Sequence, residues 1–136
     1  MAEYELAQEP VASGMTGHES RLRLAIRQVR AEAQQARRIF KEAQNEGLFW
    51  RLTGEVPTDK AWKKHRGLLA QECPSEVFET ANKAFGHVAG LLTRRSVVML
   101  SGKRTIRSDD KLDLEEAIAA LDAADQALGS TERNAQ

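Results

Sequence analysis

The chain has 136 residues, enough for one domain that buries roughly two thirds of the surface its unfolded form exposes. Its single cysteine, Cys73, excludes an internal disulfide, and no apolar run, Val97 to Leu100 included, approaches the length of a membrane span. Twenty Lys and Arg cancel twenty Asp and Glu, yet the charges are segregated: residues 90–107 carry Arg94, Arg95, Lys103, Arg104 and Arg107 without an acid, and residues 108–136 carry eight acids against Lys111 and Arg133. Such a boundary predicts either that one segment folds against the other or that an acidic helix holds a cationic surface in check. Prolines stand only at 10, 57 and 74, and Ala, Leu, Glu, Arg and Gln are plentiful, which favours helices.

Residues 1–17 contain Glu3, Glu5 and Glu9, end in Ala12-Ser13-Gly14-Met15-Thr16-Gly17 and have little to bury, so the expectation is a disordered arm. They lack the basic start and apolar centre of a secretion signal, and with one thiol the expected compartment is the cytoplasm. From residue 18 the pattern changes. Leu22, Ile26, Val29, Ala33, Ala36, Phe40 and Ala43 recur at spacings of four and three, which predicts a long helix with one seam, stopped by Gly47. Three alanines on that seam favour close packing inside a bundle over a free coiled-coil dimer. Leu48-Phe49-Trp50-Arg51-Leu52 then forms a connector that ends at Thr53-Gly54 and Pro57, its four large apolar side chains expected to plug the end of the bundle or, as the alternative, to form an exposed anchor for a partner.

Thr58 and Asp59 are placed to cap a second helix bearing Trp62, His65, Leu68 and Leu69, which Pro74 ends or kinks. Pro74 and Glu76 suit the start of a third, with the stripe Phe78, Ala81, Phe85, Val88 and Leu92. Gly86 and Gly90 on it each cost about 1 kcal/mol against alanine, an expense best recovered by close approach of a neighbouring backbone. Residues 97–100 have no strand partner in the sequence, so the helix is extended to about Leu100. A basic loop follows, and Asp109 and Asp110 open a last helix with Leu114, Ala117, Ile118, Leu121, Ala124 and Leu128 inward and Gly129 as its stop. Residues 130–136 read as a frayed tail. The fold expected is all-α: an antiparallel helical bundle of about four helices over residues 18–129, in one domain.

Specific chemistry is hard to find. His18, His65 and His87 lie on separate segments with no Glu-x-x-His, so no metal site is expected. Ser101-Gly102-Lys103 fails as a phosphate loop because position 97 is valine and position 104 arginine. The acids at 109, 110, 113, 115 and 116 lack the alternating ligands and central glycine of a calcium loop. Asn82 stands where a helical ribonuclease with Arg ahead of His would need its arginine before His87. No catalytic set and no cofactor are expected.

Trp62-x-x-x-Arg66-x-Leu68-Leu69-Ala70, then Val77-Phe78, Ala81, Ala84-Phe85, Val88 and Leu91, resembles a pattern in small uncharacterised bacterial helical-bundle proteins. The resemblance covers about residues 62–91 and implies a bundle and a bacterial or phage source, without an activity.

Two functional expectations result. The first is a non-enzymatic helical module for protein–protein interaction or self-association, with Phe49, Trp50, Leu52 and Trp62 as partner-binding residues. The second is a nucleic-acid accessory protein that contacts phosphates through Arg94, Arg95, Lys103, Arg104 and Arg107, moderated by the acidic last helix. The arginines of the first helix, interleaved with Glu19, Glu32, Glu42 and Glu46, are read as a solvated surface.

Overall fold

The computed structural model describes residues 17–46, 55–101 and 108–134, and these form an all-α bundle of four helices: α1 (Gly17–Glu46), α2 (Lys60–Glu72), α3 (Ser75–Ser101) and α4 (Ser108–Asn134). No strand occurs among the described residues. The expected arm lies almost wholly outside them, as do residues 47–54 and 102–107.

The helix directions follow from simple lengths and pairings. α3 and α4 have 27 residues each, about 40 Å at 1.5 Å per residue. The six residues between them reach about 25 Å when fully extended, so α4 must run back along α3. Arg27 of α1 meets Glu132 while Arg37 meets Asp122, so α1 and α4 are also antiparallel. Residues 61 and 62 of α2 meet Glu32, whereas residue 65 meets Gln28, so α2 runs back along α1. The order is up, down, up, down. α4 packs along both α1 and α3; α2 lies mainly on α1, touches α3 and makes no contact with α4.

All seven predicted seam residues of α1 are buried, and so are Ala81, Phe85 and Val88 of α3 and Leu114, Ala117, Leu121, Ala124 and Leu128 of α4. A second column on α1, Ala25, Glu32 and Ile39 spaced by seven, is buried as well. One helix face is therefore too narrow a description of α1: it packs on α4 along one flank and on α2 along the other.

Three local expectations are corrected. Gly129 does not stop α4, which continues to Asn134; a Cβ on this buried glycine would stand 3.0 Å from the Arg30 guanidinium, so the missing side chain makes room for Arg30 to cross the helix. Gly86 and Gly90 are exposed, and a Cβ on either would meet nothing within 4 Å, so no neighbouring backbone explains them. Asp59 occupies the N-cap position of α2 but its side chain makes no capping hydrogen bond, and the Thr58 hydroxyl is turned toward α1.

Candidate functional site

Glu32 is the one buried charged side chain among the described residues, 8% exposed in the second column of α1. Its carboxylate accepts hydrogen bonds from Thr58 Oγ1, from the backbone N–H of Ala61 at 3.0 Å and from that of Trp62 at 2.9 Å. The first N–H groups of any helix lack partners inside it and carry the positive end of its dipole. A carboxylate from α1 thus does for α2 what its own N-cap residue does not. Leaving such buried donors unpaired costs about 1–3 kcal/mol, so this contact fixes where α2 begins and how it sits on α1.

One residue on, Trp62 is 4% exposed. Its ring stacks on Phe85 with centroids 5.2 Å apart and planes 4° from parallel, and tilts against Phe78 at 5.5 Å and 32°. This trio ties α2 to α3, while His65 Nε2 donates to Gln28 Oε1 at 2.5 Å and ties it again to α1. Burial, then the neighbouring Lys64 charge, push the His65 pKa down, with Glu32 pulling the other way. At the far end, the N–H of Cys73 closes α2 on the Leu69 carbonyl, and burial followed by the Glu72 charge raises the pKa of its thiol.

The other flank of α1 carries a row of ion pairs. Arg27 Nε lies 2.7 Å from Glu132; Arg30 bridges Asp125 at 2.8 Å and Glu132 at 3.1 Å; Arg37 stands 3.6 Å from Asp122, beyond hydrogen-bond reach. Gln34 adds a hydrogen bond to Asp125. Hydrogen bonding to Asp125 leads the causes that raise the Arg30 pKa, and the hydrogen bond from Arg27 leads those that lower that of Glu132. The α1 arginines read as solvated thus include three that pair with α4, and Glu132, assigned to a frayed tail, is part of the fold. The segregated charge has an internal use, with α1 supplying the cations.

What remains exposed is distributed unevenly. Lys60, Lys63, Lys64 and Arg66 line the outer face of α2; Lys63 lies 3.5 Å from Asp59, and the other three pair with no acid among the described residues. Of three large apolar side chains more than half exposed among the described residues, Leu24 (54%) lies near the start of α1, while Val97 and Leu112, 52% and 55% exposed, stand five residues before and after the 102–107 connection. Since α1 and α3 are parallel and α4 runs opposite, α1 ends, α3 ends and α4 begins at the same end of the bundle. Between α3 and α4 an open groove of about 520 Å³ has Lys83 and His87 on one wall, Glu116 on the other and Ala119, Ala120 and Ala123 along it. No group of three or more His, Cys, Asp or Glu placed to hold a metal occurs among the described residues.

The predicted partner-binding residues do not come together as one surface. Phe49, Trp50 and Leu52 lie outside the described residues. Trp62 is corrected: it fills the α2–α3 interior and is not an exposed anchor, because an indole of this size stacked on Phe85 has no face left for a partner. Of the predicted phosphate-contacting residues, Arg94 and Arg95 are half-buried and already engaged, and Lys103, Arg104 and Arg107 lie outside the described residues. Glu32 was missed because an acid at a helical position reads as solvated; the available signal was its place midway between Ala25 and Ile39 in a spacing of seven. Comparison with protein-family models, with curated proteins and with solved structures finds no match. No helix among the described residues is long and apolar enough to cross a membrane.

Proposed function

We propose that the chain is a non-enzymatic helical interaction module that engages a protein partner, or a second copy of itself, through the end of the bundle where α1 and α3 finish and α4 begins. The observation that carries this reading is the pair Val97 and Leu112, two large apolar side chains more than half exposed on either side of one connection. Burying both removes apolar surface from water at about 25 cal/mol per Å², and the cations that the sequence places around them supply selectivity at the rim. The cytoplasmic compartment and the bacterial or phage setting implied by the resemblance belong to the same proposal. Replacing Val97 and Leu112 together by arginine is expected to abolish association, measured by analytical ultracentrifugation or by capture of a cross-linked partner, while helicity and cooperative melting are retained. Replacing Phe49 and Trp50 by alanine asks whether the adjoining connector shares in the contact. Undiminished association of the Val97/Leu112 variant counts against this end of the bundle.

A second reading is favoured by a separate observation, the four cations on the outer face of α2. With Arg27, Arg30 and Arg37 committed to α4, contact with phosphates would fall to Lys60, Lys63, Lys64 and Arg66. Fluorescence anisotropy with DNA and RNA oligonucleotides at low and moderate salt tests it. Salt-sensitive binding that is lost when Lys60, Lys63 and Lys64 become glutamate supports the reading; absence of binding at low salt removes it.

A further inference from the structure

We propose that α2 is a strap that opens independently of the other three helices, hinged at Pro74 and latched by Glu32. Several features of α2 point the same way. Its 13 residues sit at the length of about 12–15 below which an isolated helix is marginal in water. Gly67 stands in its middle with nothing within 4 Å of where a Cβ would be, so it weakens the helix without a packing return. Only Trp62 and Leu69 of α2 are buried, and its outer face is solvent-exposed from Lys60 to Gln71. The donors at its start are met from another helix, so α2 keeps its beginning only while docked.

The contacts that opening would break form a local set: the three hydrogen bonds to Glu32, the Trp62 ring contacts, the His65–Gln28 bond, the burial of Leu69 and Cys73 and the packing of Ala61 and Leu68 on the core. The α1–α4 ion pairs and the packing of α4 on α1 and α3 are untouched, since α2 makes no contact with α4. At the far end, Cys73 has an extended backbone (φ −91°, ψ 154°), and the amides of Val77 and Phe78 bond the Pro74 carbonyl to begin α3. The chain therefore breaks cleanly between α2 and α3. Release of the strap uncovers the Phe78–Phe85 edge of α3 beside Glu32, an aromatic face with a carboxylate at its border.

Cys73, buried at the hinge and the chain's sole cysteine, is a built-in reporter. The test is the rate at which Ellman's reagent labels the full-length protein at mildly alkaline pH, followed across sub-denaturing urea. Independent opening predicts a urea dependence well below the slope of the global unfolding transition, because only α2 and the face it covers become exposed. It also predicts labelling about tenfold faster in Glu32→Gln, with the global transition retained, since loss of a charge-assisted contact of this kind is worth about one decade in the opening equilibrium. Thr58→Val, which removes one of the three donors, accelerates labelling by a smaller factor and keeps the test available should Glu32→Gln fail to fold. A wild-type urea slope equal to the global one overturns the proposal. So does a small slope with no acceleration in either variant, which is the signature of fraying at Cys73 alone.

Discussion

The two flanks of α1 use charge in opposite ways. Toward α4, Arg27, Arg30 and Arg37 meet Asp122, Asp125 and Glu132 in a row that is part-buried at Arg30, Asp125 and Glu132 and more open to water at Arg27, Arg37 and Asp122, laid over a core of Ile26, Val29, Ala33 and Leu121 that holds the helices together. Toward α2, the one charge that matters is buried: Glu32 replaces an apolar residue in the column and satisfies backbone donors of the neighbouring helix. Exposed ion pairs are worth about 0–1 kcal/mol each because water already solvates both partners. A buried carboxylate with three donors has no such substitute, and removing it strands those donors. The number of charged contacts is thus a poor guide to which flank depends on charge.

Substitutions on the two flanks should differ in the size of their effects. Truncating the shared aromatic anchor has the largest expected effect: Trp62→Ala should cost the docking of α2 about 3 kcal/mol or more, seen as lost exchange protection across residues 62–72. Glu32→Ala should follow at about 2 kcal/mol on the same elements, with α1, α3 and α4 retaining their protection. On the opposite flank, Arg37→Gln should change the denaturation midpoint by less than about 0.5 kcal/mol in equivalent stability, and moderate salt should remove even that difference. Gly86→Ala and Gly90→Ala should stabilise the protein by about 0.5–1 kcal/mol each in chemical denaturation, because both sites are helical, exposed and open.

The smallest effect is a pH dependence. His65 has its pKa lowered in the fold, so the unfolded chain takes up the proton first; stability from this residue is present above the ordinary histidine range and is lost as pH falls through it. Melting at neutral pH and at mildly acid pH should therefore differ less in His65→Gln than in the original protein.

The sequence made the long helices legible and left the tertiary polar contacts hidden, for identifiable reasons. Seam residues such as Leu22, Ile26 and Val29 announce themselves because their spacing is fixed by the helix they sit on. Arg30 does not, because its choice of Asp125 and Glu132, 95 and 102 residues away, is made by the antiparallel packing of α1 and α4. Gly129 reads as a stop from local rules, and only the guanidinium lying against it shows why the helix tolerates it. Asp59 looks like the natural cap of α2, yet a carboxylate 29 residues earlier than Ala61 takes the role. Trp62 shows the same limit from the apolar side: a large aromatic near a connector suits a partner anchor or an interior plug equally well until Phe78 and Phe85 are brought beside it.

A pair of ¹H–¹⁵N correlation spectra, of the original protein and of Glu32→Gln, tests the capping of α2 by Glu32 at the atoms concerned. The prediction is that the amide protons of Ala61 and Trp62 move upfield and exchange faster in the variant, while amides across the α1–α4 contact hold their positions. Unchanged Ala61 and Trp62 resonances in a folded variant would contradict it, since those two N–H groups would then not be held by the carboxylate.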